Sequence, residues 1–388
     1  MSIVNLGGTE VNLSIADALL PLLALVALRR HAFWVRPDSN LLYGYVFLTL
    51  TSLVLSLWWA SLTSTVVLSS AVLTILKLCV ALVYLVLLAR LMTASVARGD
   101  YLFVTVWSWA SAAIALAALG SSLLGISALT RQTAFRNSGS FDDPNLFAIY
   151  LLVSAGVSLW LHDRTGRSLP LLATGIALLA IPTTASRGGA VALVAAVLVA
   201  VAWMSWRNKI RLLAVAVTAA LVLATWGRQL VAGVLESPSV QRIVSNEGGL
   251  DSARRELWGF GVRLWGDNLL LGVGPGQFQV LSAGLVDASR GNVVHNTYLS
   301  VGVELGLVGF GAFFSLWGLL ALKVVRIPGG KGAGLLLAVA GLALGMVTLN
   351  LENARFAWAL AAFVWAVTRS DLRETADRGE DAPLAARH

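Results

Sequence analysis

The chain has 388 residues, of which 57% are hydrophobic and 12% charged, and its mean hydropathy is +0.80. Soluble globular chains are about 45–50% apolar and about 25% charged, so a soluble enzyme, a disordered chain and a secreted disulfide scaffold are all excluded. The net charge of +8 is topogenic, because basic residues hold cytoplasmic loops in place, and no nucleic-acid partner is implied.

Met1–Asn12 has no basic leader, and the first apolar run is followed at once by Arg29 and Arg30. This predicts a first span with its N-terminus outside rather than a cleaved signal peptide. Apolar runs then predict eleven spans, near 13–28, 41–61, 66–89, 102–126, 145–161, 169–185, 189–205, 212–226, 297–321, 333–350 and 355–368. Backbone polar groups in lipid must be bonded within the segment, so long continuous runs of this kind are helices. The expected fold is therefore all-α, a polytopic integral membrane protein with eleven to twelve spans. Every odd-numbered loop is basic, as is the tail: Arg29, Arg30 and Arg36; Arg90 and Arg98; Arg164 and Arg167; Arg207, Lys209 and Arg211; Lys323, Arg326 and Lys331; Arg369, Arg373, Arg378 and Arg387. Those loops are expected in the cytoplasm and the even ones outside.

One long outer loop, about 227–296, interrupts the rhythm and is expected to carry short helices. Within it Leu264–Val273 is apolar enough to lie in the interface as an amphipathic helix. Residues 1–369 read as one transmembrane domain and 370–388 as a disordered cytoplasmic tail.

Few outer groups can do acid–base or phosphate chemistry. Of the four histidines, only His295 is expected outside, where the ninth span begins. Imidazole is a base near neutral pH; the plainer reading is a helix cap. Arg187, in Thr183-Thr184-Ala185-Ser186-Arg187-Gly188-Gly189, is expected in a very short outer loop, against the positive-inside trend. Arginine binds phosphate bidentately, and the other reading is an interfacial anchor. Arg254 and Arg255, and Arg131 and Arg136, are further outer cations that a solvated face would also explain. Asp143 is expected to cap the fifth span, with Pro144 at its first position.

Gly272-Val273-Gly274-Pro275-Gly276-Gln277-Phe278 looks like a phosphate loop but follows no strand and opens no lysine-bearing helix. It reads as a tight turn packing the loop onto the membrane. Adjacent Asp142 and Asp143 make a poor metal pair, and Cys79 is the single cysteine, so no metal and no cofactor are implied. Lys77, Glu304 and Glu352 are charges inside the membrane, costly unless paired or functional. Glu304 follows His295 by about two and a half turns and is placed to line a polar cavity beneath it; a helix–helix ion pair with Lys77 is the alternative.

Read in order, these pieces resemble the bacterial O-antigen ligase and polymerase superfamily. They are Gly139-Ser140-Phe141-Asp142-Asp143-Pro144-Asn145-Leu146-Phe147-Ala148, then Ser186-Arg187-Gly188-Gly189. Next come Ser252-Ala253-Arg254-Arg255-Glu256-Leu257-Trp258 and Leu271-Gly272-Val273-Gly274-Pro275-Gly276-Gln277-Phe278. The last are His295-Asn296-Thr297-Tyr298-Leu299 and Glu304-Leu305-Gly306-Leu307-Val308-Gly309. The likeness spans about residues 136–310.

It implies a metal-independent glycosyltransferase that moves a glycan from a polyprenyl (undecaprenyl) diphosphate carrier to a glycan or lipid-linked acceptor hydroxyl. The expected place is the outer face of the bacterial cytoplasmic membrane, among membrane lipids. The family's essential histidine falls on His295, its serine–arginine–glycine arginine on Arg187, and its long-loop arginine on Arg254 or, one register later, Arg255. Arg136, Asn145, Asn296 and Glu304 are taken as substrate-binding. The chemistry that follows is a single, inverting displacement with His295 as general base and the arginines on the diphosphate. A double displacement would need a carboxylate such as Asp251 or Asp287. Ligases of the family usually have twelve spans, one more than the runs here. A polymerase of the same family, and a proton-coupled transporter or flippase using Lys77, Glu304 and Glu352, are the competing readings. A single long outer loop favours the ligase, and the lack of an internal repeat disfavours the transporter.

Overall fold

In this computed structural model, the described residues are 2–6, 9–13, 21–22, 24–26, 40–64, 66–124, 131–133, 136–204, 206, 209–210, 241, 250–285, 293–327 and 331–380. The elements are β1 (Ser2–Leu6), β2 (Thr9–Leu13), α1 (Asn40–Thr63), α2 (Leu68–Val96), α3 (Leu102–Leu124), β3 (Arg131–Thr133) and β4 (Arg136–Gly139). They continue with α4 (Pro144–Thr165), α5 (Leu169–Ala180), a 3-10 turn (Ile181–Thr184), α6 (Arg187–Trp203), α7 (Leu250–Asp267) and α8 (Gln277–Leu281). Last come α9 (Thr297–Val325), α10 (Ala333–Thr348) and α11 (Arg355–Glu380).

The fold is all-α and polytopic, as the composition predicts. The second to seventh and ninth to eleventh expected spans each coincide with a helix. The first lies largely, and the eighth wholly, outside the described residues. Among those residues, α1, α2, α3, α4 and α9 are long and apolar enough to cross a membrane, and the helices at Leu169–Thr184, Arg187–Trp203 and Ala333–Thr348 are shorter and apolar. Helix α11 continues to Glu380, past the point where a disordered tail is expected. A feature the hydropathy pattern does not reveal is the antiparallel hairpin β1–β2, in register Ser2↔Leu13 to Leu6↔Thr9. Its sequence signal is the Gly7-Gly8 pair between two short segments, a dipeptide common in hairpins.

The chain divides into two compact units, one made of residues 1–100, 249–323 and 346–388, the other of 101–248 and 324–345. In the second unit α4 is the central helix, with Phe147, Ile149, Leu151, Leu152 and Val153 fully buried. Asp143 caps it through a hydrogen bond from the Asn145 amide (2.8 Å) and Pro144 opens it, as expected. Helix α10 crosses α4 backbone to backbone. A Cβ on Gly156 would lie 2.5 Å from the Gly334 carbonyl oxygen, and one on Gly334 would lie 2.5 Å from the Trp160 nitrogen. Small residues permit such approach where apolar attraction between helices adds little.

In the first unit α9 is broken. Gly306 sits at φ 64°, ψ −168°, outside helical space. The break would orphan the carbonyls of Val303 and Glu304 and the amides of Leu307 and Val308. The segment after α7 takes all four. Val273 N donates to Val303 O (3.0 Å) and Gly274 N to Glu304 O (3.0 Å), while Leu307 N donates to Leu269 O (2.9 Å) and Val308 N to Leu270 O (3.2 Å). Non-helical backbone at membrane depth is tolerated only when protein satisfies it, and this segment does so. The expectation of an amphipathic helix over Leu264–Val273 is thereby corrected. Helix α7 stops at Asp267; beyond it Asn268 and Gly272 still bond within the local turn, but the carbonyls of Leu269 and Leu270 and the amides of Val273 and Gly274 are taken by α9.

The glycine-rich stretch is the tight turn expected of it. Gly272, Gly274 and Gly276 take φ of 71°, 101° and 72°, values that carry no steric penalty only in glycine. Gln277 clamps the turn to the start of α2, its side-chain amide bonding Val67 N (3.0 Å) and Val67 O (3.2 Å), and Ser70 Oγ donates to Gly276 O (2.8 Å). Beneath the turn Leu257, Val273, Phe278, Val294, Leu299 and Val303 form one buried cluster, with Trp258 and Trp265 packed on it.

Replacing Gly306 by Ala puts a Cβ 2.3 Å from the Leu270 carbonyl carbon at a left-handed φ. The expected cost is at least about 2 kcal/mol, read as a lower Tm of the detergent-purified protein. Gly311→Ala, five residues on in the same helix with open space at its Cβ, is expected to leave Tm unchanged or raise it.

Candidate functional site

In the first unit His295 is the residue just before Asn296 and the start of α9. Its φ is 51°, and it is one of two non-glycine residues with positive φ among those described. Such a conformation costs about 1–3 kcal/mol and persists where the surroundings over-determine it, often at functional sites. The helix cap that the plainer reading assigns to His295 is supplied by Asn296. Its Oδ1 accepts from Leu299 N (3.0 Å), three residues into the helix. His295 is half-buried.

Helix α7 is fastened beside it. The Trp258 indole nitrogen donates to Val294 O (2.8 Å), the residue preceding His295. Arg254 lies four residues before Trp258 and therefore on the same helix face. It is half-buried, whereas Arg255 is exposed and shares its side of the helix with exposed Val262. Arg254 thus shares the helix face of Trp258, whose indole is bonded to Val294, while Arg255 does not. Asp251 stands in the first turn of α7, and Asp287 lies outside the described residues.

In the second unit Arg187 opens α6. Ser186 is its cap, Oγ accepting from Gly189 N (3.0 Å), and a Cβ on Gly189 would lie 2.6 Å from the Ala148 Cβ. The motif therefore divides into a capping serine, an arginine at the helix mouth and a glycine that lets α6 meet α4. Ala185, the other non-glycine residue with positive φ, at 47°, precedes this cap. The 3-10 turn before it is tied to β4 and α4. Arg136 Nε donates to Thr184 O (3.2 Å) and Arg136 Nη2 to Asn145 Oδ1 (2.9 Å), while Asn145 Nδ2 donates to Asp143 Oδ1 (2.9 Å). Arg136 and Asn145, taken from sequence as substrate-binding, thus sit in one network with the segment that leads into Arg187. The positive end of the α6 dipole adds to the guanidinium there, an arrangement suited to an anion.

The two carboxylates read as intramembrane are held by hydrogen bonds. The Glu304 carboxylate accepts from Gly276 N (2.9 Å), and its main-chain carbonyl accepts from Ser56 Oγ (2.7 Å). It secures the glycine turn, a use different from the cavity lining expected beneath His295. Lys77 acts electrostatically on Glu352. Glu352 lies in the turn between α10 and α11. Asn350 Nδ2 and Ser300 Oγ both donate to its Oε1 (2.8 and 3.3 Å). Among the described residues no three His, Cys, Asp or Glu side chains cluster as a metal site would require.

The sequence reading did not single out Trp258, Thr297 or Asn350 as parts of the site. Asn350 had a signal, since Asn350-Leu351-Glu352-Asn353-Ala354-Arg355 is a polar island between two apolar runs. Trp258 had none beyond its spacing from Arg254.

Comparison with known proteins adds one positive finding. No curated protein matches the chain significantly. Residues 172–314 match the family model described as O-antigen ligase. The matched stretch contains Arg187, Arg254, Arg255, His295, Asn296 and Glu304 and leaves Arg136 and Asn145 outside it. With helices long and apolar enough to cross a membrane, this similarity over residues 172–314 supports a multi-pass membrane protein of the O-antigen ligase and polymerase superfamily.

Proposed function

We propose that the protein is a metal-independent glycosyltransferase of the ligase type. It transfers a glycan from a polyprenyl diphosphate carrier to an acceptor hydroxyl on the outer face of the bacterial cytoplasmic membrane. The observation that carries this reading is the strained, half-buried His295 beside a helix that presents Arg254 and is bonded to Val294. A donor that brings its own diphosphate leaving group needs a base and cationic partners.

In this mechanism the imidazole of His295 accepts the proton of the acceptor hydroxyl as its oxygen attacks the anomeric carbon. The new C–O bond forms as the bond from that carbon to the carrier phosphate breaks, and the diphosphate departs with the electron pair. Arg254 meets its developing charge; for Arg187 the resemblance implies the same role, to which the helix mouth would add its partial positive charge. One displacement inverts the anomeric configuration. Arg136 and Asn145 hold the segment bearing Arg187 and bind the donor. Glu304 and Glu352 are hydrogen-bonded to neighbouring turns, which favours a structural use for them over a proton relay.

His295→Ala is expected to lower transfer by about 10²–10⁴-fold in a purified assay with lipid-linked donor and acceptor, with binding of the donor retained. Full activity of that variant would remove the mechanism. Arg187→Ala should weaken both donor binding and turnover, and Arg187→Lys should restore them only in part, because the ammonium cannot bind bidentately. Trp258→Phe keeps the ring but loses the bond to Val294. It is expected to cost about 1 kcal/mol of stability, measured by thermal unfolding, and to lower kcat. Dialysis against EDTA should leave the rate unchanged. In a deletion strain, full-length glycans still on their carrier are the expected lipid-linked species; single repeat units alone would indicate a polymerase instead.

A further inference from the structure

The turn between α10 and α11 is bonded to the start of α9 by a set of contacts that the roles above leave unused. Asn296 N donates to Asn350 Oδ1 (3.0 Å), and Thr297 N and Thr297 Oγ1 both donate to Leu349 O (3.0 and 2.7 Å). Leu351 N donates in turn to Thr297 Oγ1 (2.8 Å). Thr297, Leu349 and Leu351 are buried. The two residues that follow His295 are therefore fixed by a segment more than fifty positions away in sequence.

The orientation of the Asn350 amide is fixed as well. Its Nδ2 donates to Glu352 Oε1 (2.8 Å) and Ser300 Oγ (3.2 Å), and Ser300 Oγ donates to the same carboxylate oxygen (3.3 Å). A flipped amide would set its oxygen against that carboxylate and its NH₂ against the Asn296 amide, both unfavourable. Glu352 is itself held, its carbonyl accepting from the Trp358 indole (2.9 Å). Only the acceptor end of Asn350 can face residue 296. The peptide it holds is the one that follows the left-handed φ of His295, a conformation that lasts only where neighbours impose it.

We infer that Asn350 is a positioning residue for His295. Oriented by Glu352 and seconded by Thr297, it holds the 295–296 peptide so that the imidazole stands in one place with respect to the acceptor hydroxyl. This rests on the proposed role of His295 as the base, and the experiment separates the two.

The full-length protein in detergent is assayed with lipid-linked glycan and acceptor prepared from a strain lacking it. Undecaprenyl diphosphate binding is the control for an intact site. Asn350→Ala is expected to lower kcat by about 10²-fold, the size of a misplacement of about 1 Å at a reacting group, with donor KM changed by less than about twofold. Asn350→Asp, which keeps an acceptor but sets a second carboxylate against Glu352, is expected to lose kcat as well. Thr297→Val should repeat the loss and Thr297→Ser should restore the wild-type rate, since serine keeps the hydroxyl and both its bonds. If Asn350→Ala does not fold, the Thr297 pair decides. Wild-type kcat in Asn350→Ala or Thr297→Val, with His295→Ala inactive, overturns the positioning role alone. So does a loss in which KM rises and carrier binding weakens as kcat falls, which would mark a merely structural brace. An active His295→Ala overturns the function on which the inference rests.

Discussion

The exchange of hydrogen bonds at the break in α9 is the constraint on which the first unit depends. Four backbone groups of a helix are given up at Gly306 and four groups of the segment 269–274 replace them. Each unsatisfied group in a low-dielectric interior costs several kcal/mol, so neither the break nor the segment is stable without the other. The consequence reaches α7 directly. A helix whose C-terminal continuation is bonded into α9 has little freedom to slide along it, and the Trp258–Val294 bond fixes the remaining rotation. Arg254 and His295, forty-one residues apart, are thereby carried on one backbone framework rather than on independent loops.

That framework explains why the glycine-rich stretch is not an anion site. In a phosphate loop the backbone amides point at an empty cradle. Here the amides of Val273, Gly274 and Gly276 already donate to Val303 O, Glu304 O and the Glu304 carboxylate, and Cβ atoms on Gly272 and Gly276 would collide with Glu304 and Ser70 main chain. The glycines serve close approach of backbone to backbone. Glu304 belongs to the same device, its side chain and its carbonyl both engaged by the turn. A buried carboxylate that reads in sequence as a member of a relay is the fastening of a loop.

How much of this was legible in sequence depends on the range of the interaction. The helices were legible because a run of apolar residues long enough to cross lipid has one solution for its backbone. The Asp143 cap and the glycine turn were legible because their chemistry is local, a carboxylate two residues from the amide it accepts and a left-handed φ that glycine adopts freely. The end of α7 was not, because Leu264–Val273 is apolar enough for an amphipathic helix and is overruled by bonding to Val303 and Glu304, some thirty residues later. The choice between Arg254 and Arg255 was open for a similar reason. Periodicity alone leaves the phase of a short helix ambiguous until a packed residue, here Trp258, sets it. Asn350 lies fifty-four positions from Asn296, a separation at which sequence offers composition and nothing more.

The two strained non-glycine residues bear on the chemistry as well as the fold. His295 and Ala185 are the described residues that carry a left-handed φ without being glycine, and they stand at the histidine and two positions before the arginine that the ligase-like motifs single out. In each case the strain falls next to a cap that starts a helix, Asn296 for α9 and Ser186 for α6. A relaxed φ at either point would redirect the chain entering the helix and leave the cap without its amide. The capped helix therefore holds the strained residue as much as the strained residue starts the helix. A side chain placed at such a junction has little backbone freedom, and a base proposed at His295 would therefore lose little more on reaching a transition state.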